Sequence, residues 1–164
     1  MTIEPSQPIP SVPVKHITEG GVSDASSADV LGTGTVVFFA VPGAFTPTCH
    51  LNHLPGYLAA ADNLKAAGVD TIVCATVNDH HVVKAWAEAT GALGTLEFIS
   101  DGQGKLAAAL GLERDMSASG MGVRFIRSSL LIRDGVVEAV NVEDAPGEVT
   151  SSGAPAMLAA LSAR

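Results

Sequence analysis

A threonine, a proline and a cysteine stand close together at Thr46, Pro47 and Cys49, shortly after the apolar run Thr35–Ala40. Threonine is favoured at the N-cap of a helix and proline at its first position, so the sequence predicts a helix that begins here. The Thr46 hydroxyl is expected to accept a hydrogen bond from the backbone N–H of Cys49 or its neighbour. A helix N-terminus favours the thiolate, which is the reactive form of cysteine. The spacing therefore predicts an activated thiol.

The helix dipole is only a modest source of this activation, because it supplies up to about 2 kcal/mol in a partly buried site. A cation about 4 Å from the sulfur adds up to about 4 kcal/mol at an effective dielectric constant of about 20. We therefore expect an arginine from elsewhere in the chain to complete the site around the thiol.

The segment from Pro42 to Cys49, PGAFTPTC, resembles the active-site signature of the peroxiredoxins, P-x-x-x-T-x-x-C. Its extension to HLPGY is similar to the atypical branch that contains peroxiredoxin-5 and the plant type II enzymes. The resemblance continues through TVNDHHVVKAW, SDGQGKLAAALGLERDMSASGMGVR and RSSLLIRDGVVEAVNVED, and covers nearly all of the chain after about Pro13. It implies a thiol-dependent peroxidase that reduces hydrogen peroxide and organic hydroperoxides.

The resemblance also implies roles for four residues. Cys49 would attack the hydroperoxide and become a sulfenic acid. Pro42 would shield the thiolate from water, and the Thr46 hydroxyl would point at the thiolate or the peroxide. Arg127, just before the run SSLLI, matches the family arginine that holds the thiolate and polarises the peroxide. Arg124 is a nearby competitor that the spacing alone does not exclude.

The second cysteine, Cys74, lies in TIVCATV, a run typical of a buried strand. We interpret it as a core residue. The other interpretation is a resolving thiol, because plant type II members have a cysteine at similar spacing; a disulfide to Cys49 would need Cα atoms within about 7 Å. The resemblance to animal peroxiredoxin-5 matches the resolving cysteine of that protein with Ser151 of this chain. We therefore expect an external thiol, from glutathione, glutaredoxin or thioredoxin, to regenerate Cys49.

Two other functions stay open at this point. A thioredoxin-fold redox sensor or interaction module would use the same Cys49 but turn over little peroxide. A zinc site could be imagined from Cys49 and His53 with His50 or the pair at 80–81, but a CxxC motif is missing. His53 is better interpreted as a structural hydrogen-bonding residue. The predicted reaction uses no metal, haem or nucleotide cofactor.

The composition limits the remaining classes of function. The chain has 164 residues, 47% of them hydrophobic and 16% charged, which predicts one domain spanning 1–164 with an irregular, proline-rich stretch at 1–11. A net charge of −8 argues against nucleic-acid and anionic membrane partners. Two cysteines without a recognisable signal peptide favour a reducing compartment, so a cytoplasmic location is expected. The resemblance also implies a homodimer.

The pattern of apolar runs predicts an α/β, thioredoxin-like fold with a central mixed sheet flanked by helices. The strands are predicted at 11–16 (an edge strand), 35–40, 70–77, 96–100, 128–132 and 136–140. Helices are predicted from Cys49 to about Ala67 with a kink at 55–56, and at 80–90, 105–110 and 152–163. The segment 20–33 is predicted as a loop. Asp134 and Gly135 form a strong two-residue hairpin signal.

Overall fold

The computed structural model describes residues 1–163. Its strands are β1 (Pro13–Thr18), β2 (Gly21–Ser26), β3 (Thr35–Ala40), β4 (Thr71–Thr76), β5 (Glu97–Ser100), β6 (Glu113–Asp115), β7 (Val123–Phe125), β8 (Ser128–Arg133) and β9 (Val136–Val142). Its α-helices are α1 (Ser27–Val30), α2 (Leu54–Ala66), α3 (His80–Ala89), α4 (Lys105–Leu110) and α5 (Ala154–Ser162). A π-helical turn, Cys49–His53, directly precedes α2.

The main sheet has seven strands in the order β2-β1-β5-β4-β3-β8-β9. The pairs β3–β4 and β4–β5 are parallel, and the other neighbours are antiparallel. This is the mixed sheet that the sequence predicts, and the thioredoxin-like fold class is confirmed. Helices cover both faces, so the central strands β3 and β4 are buried almost throughout.

Alternate residues of β3 face two separate hydrophobic clusters, as the period of a strand requires. Val37 and Phe39 belong to one cluster, together with residues of α2, α3 and α5. Val36 and Phe38 belong to the other, together with residues of α4 and the N-terminal stretch. Both Cys49 and Cys74 lie in the first cluster. Both cysteines therefore lie on the face of the sheet that α2, α3 and α5 cover.

The strand predicted at 11–16 is present as β1, but its predicted position at the edge of the sheet is wrong, and so is the loop predicted at 20–33. The chain forms β1 between β5 and β2, and the edge strands of the sheet are β2 and β9. The polar segment GVSDAS is typical of a loop in sequence, but an edge strand keeps much of its surface in solvent and tolerates such residues. The short helix α1 follows, and the Ser26 side chain accepts from the N–H of Asp29.

Other predicted elements are confirmed within a few residues. The helix predicted at 80–90 is α3, and the Asp79 side chain caps it by accepting from the N–H of Val82 at 3.0 Å. The turn at Asp134 and Gly135 joins β8 and β9, and both residues have positive φ. The paired strands β6 and β7 were not predicted, because each is only three residues long.

The helix after Cys49 differs in detail from the predicted kinked helix. Its first turn is widened, and the N–H of Leu54 donates to the carbonyl of Cys49, five residues earlier. Pro55 follows at once and has no N–H to donate, so one hydrogen bond is missing at this point. A widened turn is a common way for a helix to absorb such a local defect, and it is often found at functional sites.

Candidate active site

Cys49 lies at the start of this helix, and its side chain is fully buried. The loop 42–46 leads into the helix, and the carbonyl of Thr46 accepts from the N–H of His50 at 2.9 Å. The Thr46 hydroxyl does not form the predicted capping bond to the first turn. It donates instead to the carbonyl of Gly43 at 2.6 Å and so tightens the loop in front of the thiol.

Arg127 is the guanidinium that reaches the sulfur. Its Nη2 donates to the Sγ of Cys49 at 3.0 Å. Its Nε donates to the carbonyl of Pro146 at 2.9 Å, and its Nη1 contacts the Nδ1 of His53 at 2.9 Å. Only 2% of Arg127 is exposed. Three separate partners therefore hold the planar guanidinium, a geometry that lysine could not reproduce.

His53 is held in one tautomer by its two neighbours. A guanidinium only donates, so Nδ1 must accept from Arg127. Nε2 then carries the proton and donates to the carbonyl of Ser152 at 3.0 Å. Burial and, to a smaller extent, the positive charge of Arg127 lower the pKa of His53 to about 4, although the hydrogen bond to Ser152 opposes this shift. His53 is therefore a neutral acceptor for the guanidinium, which agrees with the structural role predicted for it.

The comparisons with known proteins agree with this geometry. A model of the redoxin family matches residues 4–158. Peroxiredoxin-2B of Arabidopsis thaliana is 41% identical over 154 residues, which cover 93% of this chain and 94% of that protein. The chloroplastic Peroxiredoxin-2E-2 of Oryza sativa subsp. japonica is 46% identical over 147 residues, covering 87% of this chain and 64% of the relative.

The same relation is seen among solved structures. The crystal structure of reduced Prx3 in complex with hydrogen peroxide from Vibrio vulnificus matches with a TM-score of 0.90 and 42% identity, covering 98% of this chain and 99% of that one. The chain belongs to the redoxin family and is a peroxiredoxin. The thiol-dependent peroxidase activity expected from the sequence is thereby confirmed.

Around this peroxiredoxin thiol, two side chains hold the loop 42–46 from outside. The side-chain oxygen of Asn78 accepts from the N–H of Ala44 and from the hydroxyl of Thr76, both at 2.8 Å. Arg124 donates to the carbonyl of Met121 at 2.8 Å and to the carbonyl of Pro42 at 3.2 Å. Arg124 therefore ties the hairpin of β6 and β7 to the loop and does not contact the sulfur. The sequence carried no signal for either of these contacts.

A cleft of about 210 Å³ opens beside the thiol. It is lined by Pro42, Thr46, Pro47, Thr48, Met116, Met121, Arg127, Pro146 and Gly147. Prolines and methionines make most of its wall apolar, while Thr46 and Arg127 supply the polar groups. Since Arg127 both lines the cleft and contacts the sulfur, a peroxide in the cleft lies next to the guanidinium that holds Cys49.

Cys74 lies in β4, opposite Phe39 of β3, and both cysteines are free. Burial raises the pKa of the Cys74 thiol well above its ordinary value, and the nearby sulfur of Cys49 raises it further. The structure thus places Cys74 in a hydrophobic cluster, and the neighbouring strands β3 and β5 pair with β4 on its two sides. Ser151 lies at the surface, and its hydroxyl contacts the carbonyl of Val142 at 3.5 Å.

The histidines considered for zinc are engaged elsewhere. The Nδ1 of His50 accepts from the indole N–H of Trp86 at 3.0 Å, and its ring stacks on Phe45. His80 and His81 lie against each other at the start of α3. Among residues 1–163, no group of three or more His, Cys, Asp or Glu side chains is arranged to hold a metal ion. Within the same residues, no helix has the length and apolar character needed to cross a membrane.

Proposed function

We propose that Cys49 is the peroxide-reactive cysteine of this peroxiredoxin, with Arg127, Thr46 and Pro42 as the residues that assist it. The contact of 3.0 Å between the Cys49 sulfur and the guanidinium is the observation that carries the proposal. A guanidinium at this distance stabilises the thiolate in a site from which water is excluded. The adjoining cleft supplies the space for a small hydroperoxide.

In the proposed reaction, a hydroperoxide ROOH enters the cleft and lies across Thr46 and Arg127. The hydroxyl proton of Thr46 is donated to Gly43, so its oxygen lone pairs are available to accept the O–H of the peroxide. The Cys49 thiolate attacks the peroxide oxygen that bears the hydrogen, an S–O bond forms and the O–O bond breaks, so that Cys49 becomes a sulfenic acid. The departing oxygen takes up a proton from solvent and leaves as ROH, which is water when the substrate is hydrogen peroxide. Arg127 stabilises the negative charge that spreads along the S–O–O line.

The resulting sulfenic acid is proposed to react with an external thiol. That thiol forms a mixed disulfide with Cys49 and releases water, and a second thiol then reduces the disulfide. The external route is favoured because Cys74 is buried in β4 and a serine stands at 151. Glutathione, glutaredoxin and thioredoxin are the classes of reductant that we propose.

Mass spectrometry after one equivalent of hydrogen peroxide tests this proposal. We expect a gain of one oxygen atom that a sulfenic-acid reagent traps at Cys49, in the wild type and in Cys74→Ser. In Cys49→Ser, the gain and all peroxide consumption with dithiothreitol should disappear. A disulfide between Cys49 and Cys74 would overturn the external route. Oxidation of Cys49 that no cellular thiol reverses would instead favour the redox sensor.

We further propose that the protein forms a homodimer in the cytoplasm. The support for a dimer is the exposure of two large apolar side chains near the site, Phe45 at 50% and Leu51 at 75%. The support for a reducing compartment is that both cysteines are free. Sedimentation of the wild type and of Leu51→Glu tests the first point, because a charge in the interface should shift the protein to a monomer.

A further inference from the structure

Glu143 follows β9 and is a buried carboxylate that the proposed reaction does not use; it is 3% exposed. Its Oε1 accepts the hydroxyl of Thr150 at 2.6 Å, and its Oε2 accepts the backbone N–H groups of Thr150 and Ser152, both at 2.8 Å. The Ser152 hydroxyl also donates to Oε2. The N–H of Glu143 donates to the carbonyl of Arg127 at 3.0 Å. The carboxylate of Glu143 therefore holds the turn 150–152 by hydrogen bonds, and its backbone joins this turn to Arg127.

The carbonyl of Ser152 is the point where this turn meets the helix that begins at Cys49. It accepts from the Nε2–H of His53 at 3.0 Å and from the hydroxyl of Tyr57 at 2.6 Å. The direction of this carbonyl decides which nitrogen of His53 carries the proton. The other nitrogen is then the acceptor that Arg127 requires at 2.9 Å.

We propose that Glu143 is a positioning residue for the guanidinium of Arg127. It acts through the carbonyl of Ser152, which keeps His53 in the tautomer that accepts from that guanidinium. The role depends on the proposed function, because it exists only if Arg127 assists the reaction of Cys49. Glu143 contacts neither the sulfur nor the cleft, so its proposed role is to orient the Arg127 guanidinium and not to take part in the reaction itself.

The charge of Glu143 is suited to this role over the physiological range of pH. Burial opposes its ionisation, but the hydrogen bonds from Ser152 and Thr150 outweigh burial and lower the pKa of Glu143 to about 2. The carboxylate is thus a permanent acceptor for the donors of the turn. A neutral side chain of the same shape, glutamine, keeps an oxygen at one position and can retain most of the arrangement, whereas alanine removes it.

The test compares Glu143→Ala with Glu143→Gln by the rate of the first oxidation by hydrogen peroxide, measured across pH in stopped flow. We expect Glu143→Ala to react about tenfold more slowly at neutral pH and the midpoint of the pH profile to move upward. Glu143→Gln should recover most of the rate. Reduction of the sulfenic acid by dithiothreitol should stay unchanged, because that step does not depend on the guanidinium in the same way.

Asp101 offers a matched control for a merely structural effect. It is 2% exposed, and its carboxylate likewise closes a turn by accepting from the N–H groups of Leu106 and Ala107 at 3.0 and 2.9 Å. Asp101→Ala should lower thermal stability but leave the pH profile of oxidation in place. If Glu143→Ala does not fold, Ser152→Ala, which removes one donor to the carboxylate, should move the profile in the same direction by less.

A double variant decides whether the effect travels through His53. In a His53→Ala background, Glu143→Ala should slow oxidation much less than in the wild type. The fit of each pH profile includes the titratable groups that face this path, which are Cys49, His53 and Tyr57, Cys74 from β4, Glu143 and Arg127.

Two results would overturn the positioning role. One is a Glu143→Ala protein whose oxidation rate and pH profile are those of the wild type. The other is that Glu143→Ala slows oxidation equally in the wild-type and the His53→Ala backgrounds. If Arg127→Ala also oxidises at the wild-type rate, the proposed function fails as well. If Arg127→Ala is slow but Glu143→Ala is not, the positioning role fails alone.

Discussion

The two cysteines of this chain are equally buried and differ in their partners. Both have 0% of their surface exposed and belong to the same hydrophobic cluster. The sulfur of Cys49 accepts from Arg127 at a helix start beside a cleft. Cys74 lies in the middle of a sheet, where burial raises the pKa of its thiol. Burial therefore disfavours the thiolate at Cys74, whereas the sulfur of Cys49 has a buried cation within hydrogen-bond distance.

The comparison also shows why the cation is stable inside the protein. A buried guanidinium is costly unless its donors are satisfied. Arg127 has the carbonyl of Pro146, the Nδ1 of His53 and the sulfur as acceptors. The sulfur, the guanidinium and the imidazole therefore form one buried network, and each variant below removes one part of the contrast between the two cysteines.

Arg127→Ala should have the largest effect, because it makes the surroundings of Cys49 resemble those of Cys74. We expect the rate of oxidation by hydrogen peroxide to fall about 100-fold or more, the usual loss when a donor to developing negative charge is removed. Arg127→Lys should recover only a small part, since an ammonium cannot serve three partners in one plane. Single-turnover kinetics measures both rates.

Circular dichroism and thermal unfolding provide the control for this prediction. Both variants should retain the secondary structure of the wild type at the temperature of the assay. A folded Arg127→Ala protein that reacts with peroxide at the wild-type rate would show that the guanidinium does not activate the thiol, and the contrast with Cys74 would need another cause.

Acid should destabilise the Cys49 side of the molecule through His53. Its pKa falls from 6.5 to about 4 in the folded state, so the unfolded chain binds a proton that the folded chain refuses between these values. The free energy of unfolding should therefore be highest above pH 6.5 and fall as the pH drops toward 4, by on the order of 3 kcal/mol. Urea unfolding at a series of pH values measures this slope.

His53→Gln is the matched control, because glutamine retains polar atoms but does not titrate. Its free energy of unfolding should depend less on pH between 4 and 6.5. The buried carboxylate of Glu143 adds a second loss below its ordinary pKa of 4.5, toward about 2. An unchanged slope between pH 4 and 6.5 in His53→Gln would contradict the assignment of the neutral histidine.

The Arg124→Gln variant tests whether an arginine that contacts the loop, but not the sulfur, also promotes the oxidation of Cys49. Arg124 holds the carbonyls of Met121 and Pro42 but lies off the sulfur, so its loss should loosen the cleft without removing the cation at Cys49. We expect a loss of less than about tenfold in the oxidation rate, since two hydrogen bonds at a partly exposed site are modest in energy. A loss as large as that of Arg127→Ala would mean that both guanidinium groups act on the thiol.

Much of this contrast could be predicted from the sequence, because its strongest signals are local. The buried strands β3 and β4, the capped start of α3 and the turn at 134–135 follow from short patterns. The position of Cys49 at a helix start is of the same kind. The choice of Arg127 over Arg124 came from the resemblance and not from spacing, and the contact distances show which of the two touches the sulfur.

The remaining features depend on distant parts of the chain, and no local pattern encodes them. His53 and Ser152 are 99 residues apart, and Ala44 and Asn78 are 34 apart. The edge strand β2 is polar and becomes a strand only because β1 lies beside it. The Thr46 hydroxyl, which the sequence predicts as a helix cap, donates instead to the carbonyl of Gly43. Side-chain direction in a loop is set by such tertiary contacts.

Cys74→Ala should have the smallest effect, and it tests the contrast between the two cysteines by changing the buried cysteine of β4. Removing one buried sulfur atom leaves a small cavity, so we expect a loss of about 1 kcal/mol in the free energy of unfolding. Peroxide consumption with an external thiol should stay within about twofold of the wild type, because an external thiol reduces the sulfenic acid without the buried Cys74. Turnover that stops in Cys74→Ala after one round of oxidation would show that β4 opens during catalysis and that this thiol resolves the sulfenic acid. Cys74 would then be buried only in the resting state, and both cysteines would take part in the catalytic cycle.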